Sequence, residues 1–569
     1  MCFVVVLIHY IFLIYHLSLT LNSQSIIRTN SGPVRGALQR YEEIFYYSYQ
    51  GIPYAECPTG ALRFRPPVMR QPWTNIFNAT REPPVCPQIE VKYKKEQMDE
   101  DCLRLNIFVP ENLNSSLPVL VFIHGGAFEF ISGNTDIIYG PQLLLRQGII
   151  IITINYRLGP LGFMSLGIEE ASGNAGLKDI ILALRWIKNN IKQFGGDSNN
   201  ISLGGNSSGA TIVNYLLLTK HSSGLFQRAI LLSGSALSYR ALSKHPIENT
   251  LELAKELCSV TDDVYLILKC LREADVFDII KARIKLKNKN NNILRPFTPF
   301  LPSVENNFTH AVITKDPKEI LELHEQQNVP IFAGFNGNEG IYMTSLSFRY
   351  PNVVLNNLRK NIELTIPSNI EYPLGLKQST TLANSIVKFY FGDENFSNWT
   401  LNNAYDYISD THYVFGIDTW INLHKEKKDS SAVYYYIFDF DGNFNWCKIY
   451  YNITYPGTSH ADDLGYLFLT NATKLKFKHA DERSLRTVNL MTTLLSNFVK
   501  YGNPTPKNYS NFIWPEYGTE RKMALLSDEP SVIQIFEPIK KRLKFWTNVY
   551  KEYNNFLNKG GKLEYKIIP

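Results

Sequence analysis

The sequence has almost no surplus of charge of either sign. Its 58 Lys and Arg stand against 52 Asp and Glu, leaving +6 over 569 residues. That balance excludes a dedicated nucleic-acid groove or membrane-binding face, since either needs charge concentrated on one surface. The basic clusters that do occur, Lys281 to Lys289 and Lys540-Lys541-Arg542, lack interleaved aromatics and read as solvated faces or loops. No internal repeat is visible, and no shift of composition is strong enough to cut the chain in two. Disorder is excluded too, because 44% of the residues are hydrophobic and only 19% charged.

Charge is missing altogether from Cys2 to Thr20. Val4 to Ile8 and Ile11 to Ile14 supply an apolar run, and polar Asn22-Ser23-Gln24 follows with small Ser23 near a cleavage point. Residues 1–23 are expected to be a signal peptide and 24–569 the working domain. An uncleaved anchor is the alternative, since the stretch nearly reaches spanning length. His9 and His16 dilute it, and no basic residue precedes it. Cysteine is scarce at seven. With Cys2 removed six remain, an even number that suits an oxidising compartment. Cys86 with Cys102, and Cys258 with Cys270, are near enough in sequence to close short loops; Cys57 and Cys447 stay unassigned. Acceptor triplets for glycosylation occur at Asn78, Asn114, Asn200, Asn307, Asn395, Asn398, Asn452, Asn471 and Asn508, each weak alone in an Asn-rich chain. The terminus Glu564 to Pro569 is neither a retention signal nor a hydrophobic tail. A secreted, extracellular product without stable membrane insertion is expected.

What the chain does have is a series of β-branched runs that end in Gly or polar turns. They are Val119 to Ile123, Ile149 to Ile154, Ile201 to Leu203, Arg228 to Leu232, Pro330 to Ala333 and Val433 to Phe438. Helical patterns intervene, including Ala210 to Leu218 and a face of Ile181, Leu184, Ile187 and Ile191 closed by Gly195-Gly196. Continuous apolar strands alternating with helices predict an α/β fold, its central and mostly parallel sheet flanked by helices in one large domain. Lys281 to Asn292, with Pro296 and Pro299 beyond, reads as a loop or breaker region.

Chemistry enters at Gly205-Asn206-Ser207-Ser208-Gly209, placed after a strand and before a helix. A nucleophile must stand clear of the sheet on a tight turn, and Gly two before and two after it relieves the clash. The following helix points its positive end at the developing oxyanion. An ordinary Gly/Ser turn remains the plain alternative for the pentapeptide by itself. Asn206-Ser207-Ser208 is formally an acceptor triplet as well, but a buried elbow is closed to the transferase. His124-Gly125-Gly126-Ala127-Phe128, also directly after a strand, can bring backbone N–H groups close to a ligand. His124 itself reads as structural.

Further stretches carry a resemblance. They are Gly51-Ile52-Pro53-Tyr54-Ala55, Leu62-Arg63-Phe64, Glu100-Asp101-Cys102-Leu103, Asn155-Tyr156-Arg157-Leu158-Gly159, Phe194-Gly195-Gly196-Asp197, Gly334 to Gly340, Gly457 to Asp463, Asn497 to Lys500 and Gly502-Asn503-Pro504. In this order, from about Ile27 to about Tyr550, the chain resembles the carboxylesterase/cholinesterase family, the type-B carboxylesterases of α/β-hydrolase fold. The resemblance implies a serine carboxylesterase working through an acyl-enzyme. Ser207 would be the nucleophile, His460 the general base and Glu339 the acid orienting it, in the chain order this fold uses. It also implies an oxyanion hole from Gly125, Gly126 and the Ser208 N–H, disulfides Cys86–Cys102 and Cys258–Cys270, and buried ion pairs Arg63–Glu100 and Arg157–Asp179. No cofactor, metal or nucleic-acid partner is called for; the partner is a small-molecule ester, and the oligomeric state is not readable.

Three departures from the family bear on substrate. Asn206 stands where most members carry Glu, which removes a negative charge beside the nucleophile. The segment between Cys86 and Cys102 holds no Trp to receive a quaternary ammonium. Ser208 replaces the usual Ala but keeps its backbone N–H. Neutral or lipophilic esters are therefore expected rather than choline esters, and the 13% aromatic content supplies material for an apolar gorge. A juvenile-hormone-esterase-like enzyme is the narrower alternative. A catalytically silent adhesion or binding protein is the other, although such relatives typically lack the nucleophile or the His. Cleavage near Ser23 is testable by N-terminal sequencing of protein exported from a eukaryotic host, and a mature chain that begins at Met1 would overturn it.

Overall fold

The computed structural model describes residues 25–111, 116–259, 261–289, 298–343, 360–373, 375–392, 400–507 and 512–559. The expected signal peptide lies outside them, as do Asn114, Asn395, Asn398 and Asn508. The β-branched runs build one large sheet. Its strands are β1 (Ala37–Tyr41), β2 (Ile44–Pro53), β3 (Arg104–Pro110), β4 (Leu117–Ile123), β5 (Ile150–Ile154), β6 (Gly196–Asn206), β7 (Arg228–Leu232), β8 (Ile331–Asn336), β9 (Val433–Phe438), β10 (Lys522–Leu526) and β11 (Ser531–Gln534). Their spatial order is β11-β10-β9-β8-β7-β6-β4-β5-β3-β2-β1. From β5 through β4, β6, β7, β8 and β9 to β10 neighbours run parallel. Antiparallel strands complete the edges, β3, β2 and β1 on one side and β11 on the other.

Strand alternation divides the core in two. Val119, Val121 and Ile123 of β4 face one hydrophobic cluster, while Leu120 and Phe122 face the other. The same split recurs in β5, β7 and β9, so both faces are dry, which is why these strands read as unbroken apolar runs. The first face is covered by α1 (Ala175–Asn190) and α2 (Ser208–Leu217). The expected stripe Ile181, Leu184, Ile187 and Ile191 is buried there, and the helix runs through a 3-10 turn to Gly195, whose φ of 80° closes it. Four helices matter beyond these: α3 (Val276–Lys289), α4 (Phe415–Glu426), α5 (Glu482–Tyr501) and α6 (Glu537–Asn558). Helix α5 lays Met491, Leu494, Leu495, Phe498 and Val499 on the second face. Among the described residues no helix is long and apolar enough to cross a membrane.

The structure corrects two sequence expectations. Lys281 to Lys289 is not a loop but the greater part of α3. Its buried face is Ile279, Ile280, Ala282, Arg283 and Leu286, and Arg283 donates from Nε to Glu129 Oε1 at 2.7 Å. Lys281 and Lys285 are exposed on the outer side, and the lysine-rich composition masks this stripe in the sequence. Likewise Arg542 of the Lys540-Lys541-Arg542 cluster does not point at solvent. It reaches from α6 to the buried Asp410, 2.7 Å away. Residues 290–297 lie outside the description. Of the acceptor asparagines described, Asn78, Asn307, Asn452 and Asn471 are exposed, Asn200 is half-buried and bonded to Arg228, and Asn206 is buried.

Disulfides join Cys86 to Cys102 and Cys258 to Cys270, while Cys57 and Cys447 are free. The expected ion pairs are present. Arg63 meets Glu100 at 2.6 Å and also donates to three backbone carbonyls near Leu271, tying two distant loops together. Arg157 and Asp179 form a bidentate pair at 2.6 and 2.8 Å, the carboxylate fully buried. Removing one partner of such a pair strands a buried charge. Asp179→Ala is therefore expected to lower the free energy of chemical unfolding by about 3–5 kcal/mol. A loss within error of zero in urea titration would contradict this account.

Candidate active site

Strand β6 ends at Asn206 and α2 begins at Ser208, so Ser207 is the whole turn between them. It adopts φ 55° and ψ −124°, a strained conformation for a residue with a side chain. The turn is possible because its flanking glycines touch backbone. A Cβ on Gly205 would sit 2.5 Å from the Gly209 carbonyl carbon, and one on Gly209 would sit 2.2 Å from Ile123 O. The Ser207 amide donates to Leu232 O at 2.8 Å, which fixes the elbow to the end of β7. Ser207 keeps partial access to solvent, whereas its neighbours Asn206 and Ser208 are buried.

The glycine loop after β4 lies against this elbow: a Cβ on Gly125 would approach Ser207 Cβ to 3.2 Å. One expected role changes here. The Gly125 N–H points at Asn206 Oδ1 and Tyr139 Oη, both at 3.2 Å, so it is already engaged within the protein. Tyr139 also donates to Asn206 Oδ1 at 2.8 Å. Asn206 thus braces the glycine loop instead of facing a substrate. Among the described residues no acceptor meets the N–H groups of Gly126, Ala127 or Ser208. Gly126, Ala127 and Phe128 have φ of 104°, 54° and 64°, an unusual left-handed run that turns successive N–H groups to one side. The free donors near Ser207 are therefore Gly126, Ala127 and Ser208, with Gly125 as their support.

Glu339 follows β8, and His460 lies on the long connection after β9. Thr458 holds the two segments together. Its hydroxyl donates to Phe438 O at 3.0 Å and accepts from the Gly337 N–H at 2.9 Å, while its carbonyl accepts from Asn338 N at 3.0 Å. The outcome is a His460 Nδ1 to Glu339 Oε2 contact of 2.5 Å, with Glu339 fully buried. The other carboxylate oxygen accepts from Ser233 Oγ at 2.5 Å and from the Asn336 N–H at 2.7 Å. Ser233 is the residue just past β7, and Asn206, Leu232 and Gly334 stand in one row of paired strand ends. The three parallel strands therefore release Ser207, Ser233 and the Glu339 loop at the same edge of the sheet.

Aromatic rings wall in the imidazole. Tyr413 stacks on His460 with centroids 4.4 Å apart, and Tyr342 lies at 5.0 Å. Tyr413 is carried by a π-helical turn, Asp410–Val414, that leads straight into α4. The same turn presents His412, whose Nε2 is 2.9 Å from Tyr239 Oη. Burial holds His412 far below the usual imidazole range, and burial also pushes His124 down to about 4. His124 stacks on Tyr156 at 4.4 Å beneath the glycine loop, in the structural place expected for it. Ser233, Asn336, Tyr342 and Tyr413 escaped the sequence reading because nothing local distinguishes them. Among the described residues no group of His, Cys, Asp or Glu is arranged to hold a metal ion.

Strand order, elbow and buried acid–imidazole contact can be set beside known proteins. The model of the Carboxylesterase family matches residues 23–546. The chain belongs to the carboxylesterase family. Juvenile hormone esterase of Heliothis virescens is 32% identical over 520 residues, covering 87% of this chain and 88% of its own. Venom carboxylesterase-6 of Apis mellifera is 30% identical, covering 95% and 94%. Among solved structures, juvenile hormone esterase from Manduca sexta, with OTFP covalently attached, superposes with a TM-score of 0.82 at 28% identity. That match covers 93% of this chain and 100% of the other. This carboxylesterase is accordingly a carboxylic-ester hydrolase with an α/β-hydrolase fold.

In this carboxylesterase a second carboxylate crowds Glu339. Asp463, fully buried, accepts from Tyr436 Oη at 3.1 Å and from Asn336 Nδ2 at 3.3 Å. Burial first, and then the negative charge of Glu339, push its pKa up to about 6. The folded protein therefore holds this proton more tightly than the unfolded chain, whose Asp titrates near 3.8. Stability from this group rises as pH falls through about 6 and levels off near 4. Asp463→Asn removes this contribution. The Tm of that variant minus the wild-type Tm should grow more positive from about pH 4 to about pH 7, and a difference independent of pH would show that Asp463 titrates as an ordinary carboxylate.

Proposed function

We propose that Ser207, His460 and Glu339 form the catalytic triad of a secreted serine carboxylesterase that acts on uncharged carboxylic esters. The observation that carries this reading is the 2.5 Å contact of His460 Nδ1 with the buried Glu339, at the sheet edge where the strained elbow presents Ser207. In this reading Ser207 Oγ attacks the ester carbonyl as His460 takes its proton. The carboxylate of Glu339 fixes the imidazole tautomer and balances the imidazolium that forms. The N–H groups of Gly126, Ala127 and Ser208 receive the developing oxyanion. The alcohol leaves with a proton from His460, and water activated by the same imidazole releases the acid. Losing one oxyanion donor typically costs ~3 kcal/mol of transition-state stabilisation.

Choline esters fit this site poorly. No Trp stands in the Cys86–Cys102 loop, Asn206 is neutral, and the nearby Arg240 guanidinium repels a cation. Export is supported by the two disulfides, by exposed acceptor asparagines and by the uncharged stretch from Cys2 to Thr20. Juvenile hormone hydrolysis is the narrower reading, favoured by the names of the relatives from Heliothis and Manduca.

A fluorophosphonate probe should label the wild-type chain and leave Ser207→Ala unlabelled. Ser207→Ala and His460→Ala should each lower kcat for a phenyl ester by several orders of magnitude while circular dichroism stays native. A panel of neutral esters of rising chain length, acetylthiocholine and a juvenile hormone analogue would sort substrates. Wild-type-like turnover by either variant would defeat the assignment.

A further inference from the structure

A cavity of about 610 Å³ opens to the surface beside α1, and its lining includes neither Ser207, Glu339, His460 nor the glycine loop. Lys178, Ile181, Leu182 and Arg185 face it from the helix. Their spacing of three, four and seven residues puts them on one side of α1, with the apolar pair between two cations. The first cation is already matched: Lys178 Nζ lies 2.5 Å from Glu305 Oε1, and both groups are buried. Glu305 also accepts from the Val312 N–H at 2.8 Å, which draws Val312, another lining residue, against the helix. Pro66 and Pro67 add to the apolar lining. A concave, mainly apolar space of this volume with a few polar groups at its edge is the usual form of a small-molecule site.

The charges around this cavity are divided. Its two acids, Glu169 and Glu170, stand with Arg65, which reaches Glu170 at 3.7 Å. Arg185 meets no carboxylate among the described residues; its Nη2 donates only to the His221 carbonyl, at 3.4 Å. His221 and His310 line the cavity too, and the charged or titratable neighbours of His221 are Arg185, Lys220 and His310, none of them acidic. This basic end is firmly built. Gln327 Nε2 donates to Thr219 O at 3.0 Å and to Ser222 Oγ at 2.8 Å, pinning the loop that carries His221. An unpaired arginine on an open surface is common. Here it is exposed at the edge of a concavity whose apolar floor is fixed by a buried ion pair.

We propose that this cavity is a second ligand site, separate from the ester-cleaving centre, that takes a free amphiphilic carboxylate. The charged end of the acid meets Arg185 beside His221 and His310, and its apolar body lies on Ile181, Leu182 and Val312. A guanidinium fork receives a carboxylate through two parallel hydrogen bonds. Glu169 and Glu170 on the same wall penalise a dianion, such as a phosphate monoester, more than a monoanion. The uncharged ester expected at Ser207 is a different occupant of a different place, so the proposal does not rest on the esterase reading. No covalent step is involved.

Calorimetry at neutral pH with 6-phenylhexanoate, 6-phenylhexan-1-ol, 6-phenylhexyl phosphate and acetate tests each part. The acid should bind the wild-type chain more tightly than the other three. Arg185→Gln should weaken the acid by about fivefold or more and leave the alcohol unchanged, and Arg185→Lys should recover part of the loss. The Arg185 side chain is exposed, so these variants keep the fold. Failure of the acid to bind, equal binding of acid and alcohol, tighter binding of the phosphate, or wild-type affinity in Arg185→Gln overturns the proposal. Acetate binding as tightly as the acid would remove the apolar floor from the account and overturns it too. A diazirine-bearing analogue of the acid, cross-linked by light and mapped by peptide mass spectrometry, gives the location. It should mark residues 178–185 or 310–312. Marks confined to the peptides of Ser207 or His460 would seat the acid at the catalytic centre and overturn the second site.

Discussion

Everything at this edge of the sheet depends on seating one fully buried carboxylate against an imidazole. A carboxylate so buried is costly unless hydrogen bonds take the place of water. The protein answers with hydrogen bonds to the oxygen that His460 does not use, from Ser233 Oγ at 2.5 Å and the Asn336 N–H at 2.7 Å. Both donors come from the ends of adjacent parallel strands, β7 and β8. The sheet is therefore more than a scaffold for the elbow. Its register fixes which donors reach the acid, and a slip between β7 and β8 would misplace Ser233 and Asn336 together.

Around that contact the structure gathers strain and aromatic packing. Ser207 holds a strained turn, Ala127 and Phe128 hold left-handed ones, and a π-helical turn carries Tyr413 onto His460. Each is over-determined by what surrounds it: Gly205 against Gly209, the braced Gly125 amide, and Asp410 locked to Arg542 of α6. The last pair ties α6 to the packing around His460. Asp410 opens the turn that positions Tyr413, so the seating of α6 reaches His460 through only a few packed side chains.

How much of this was legible in the sequence follows from range. Strand cores and α1 were readable because alternation and helical spacing are local, and Ser207 because a strand–turn–helix with two glycines is local too. Glu339 and His460 carry no local signature and came from resemblance. The edge strands β1, β2, β3, β10 and β11 went unmarked, since their mixed residues show no continuous apolar run. Helix α3 reads as a loop in the sequence because its run of lysines and asparagines hides a short apolar stripe. The Gly125 amide misled for another reason. Whether an N–H is free depends on its partners, and Asn206 and Tyr139 are 81 and 14 residues away.

The departure at Asn206 bears on charge more than on the brace. A carboxylate at 206 would accept from Gly125 and Tyr139 as the amide does, so the brace itself does not require neutrality. What neutrality changes is the field. Glu339 and Asp463 already lie behind His460, and a third carboxylate beside Ser207 would add negative charge where the elbow opens. With Asn206 neutral, no carboxylate among the described residues stands beside Ser207, and the acidic groups lie behind the imidazole. Such an arrangement suits chemistry in which negative charge develops at the carbonyl oxygen.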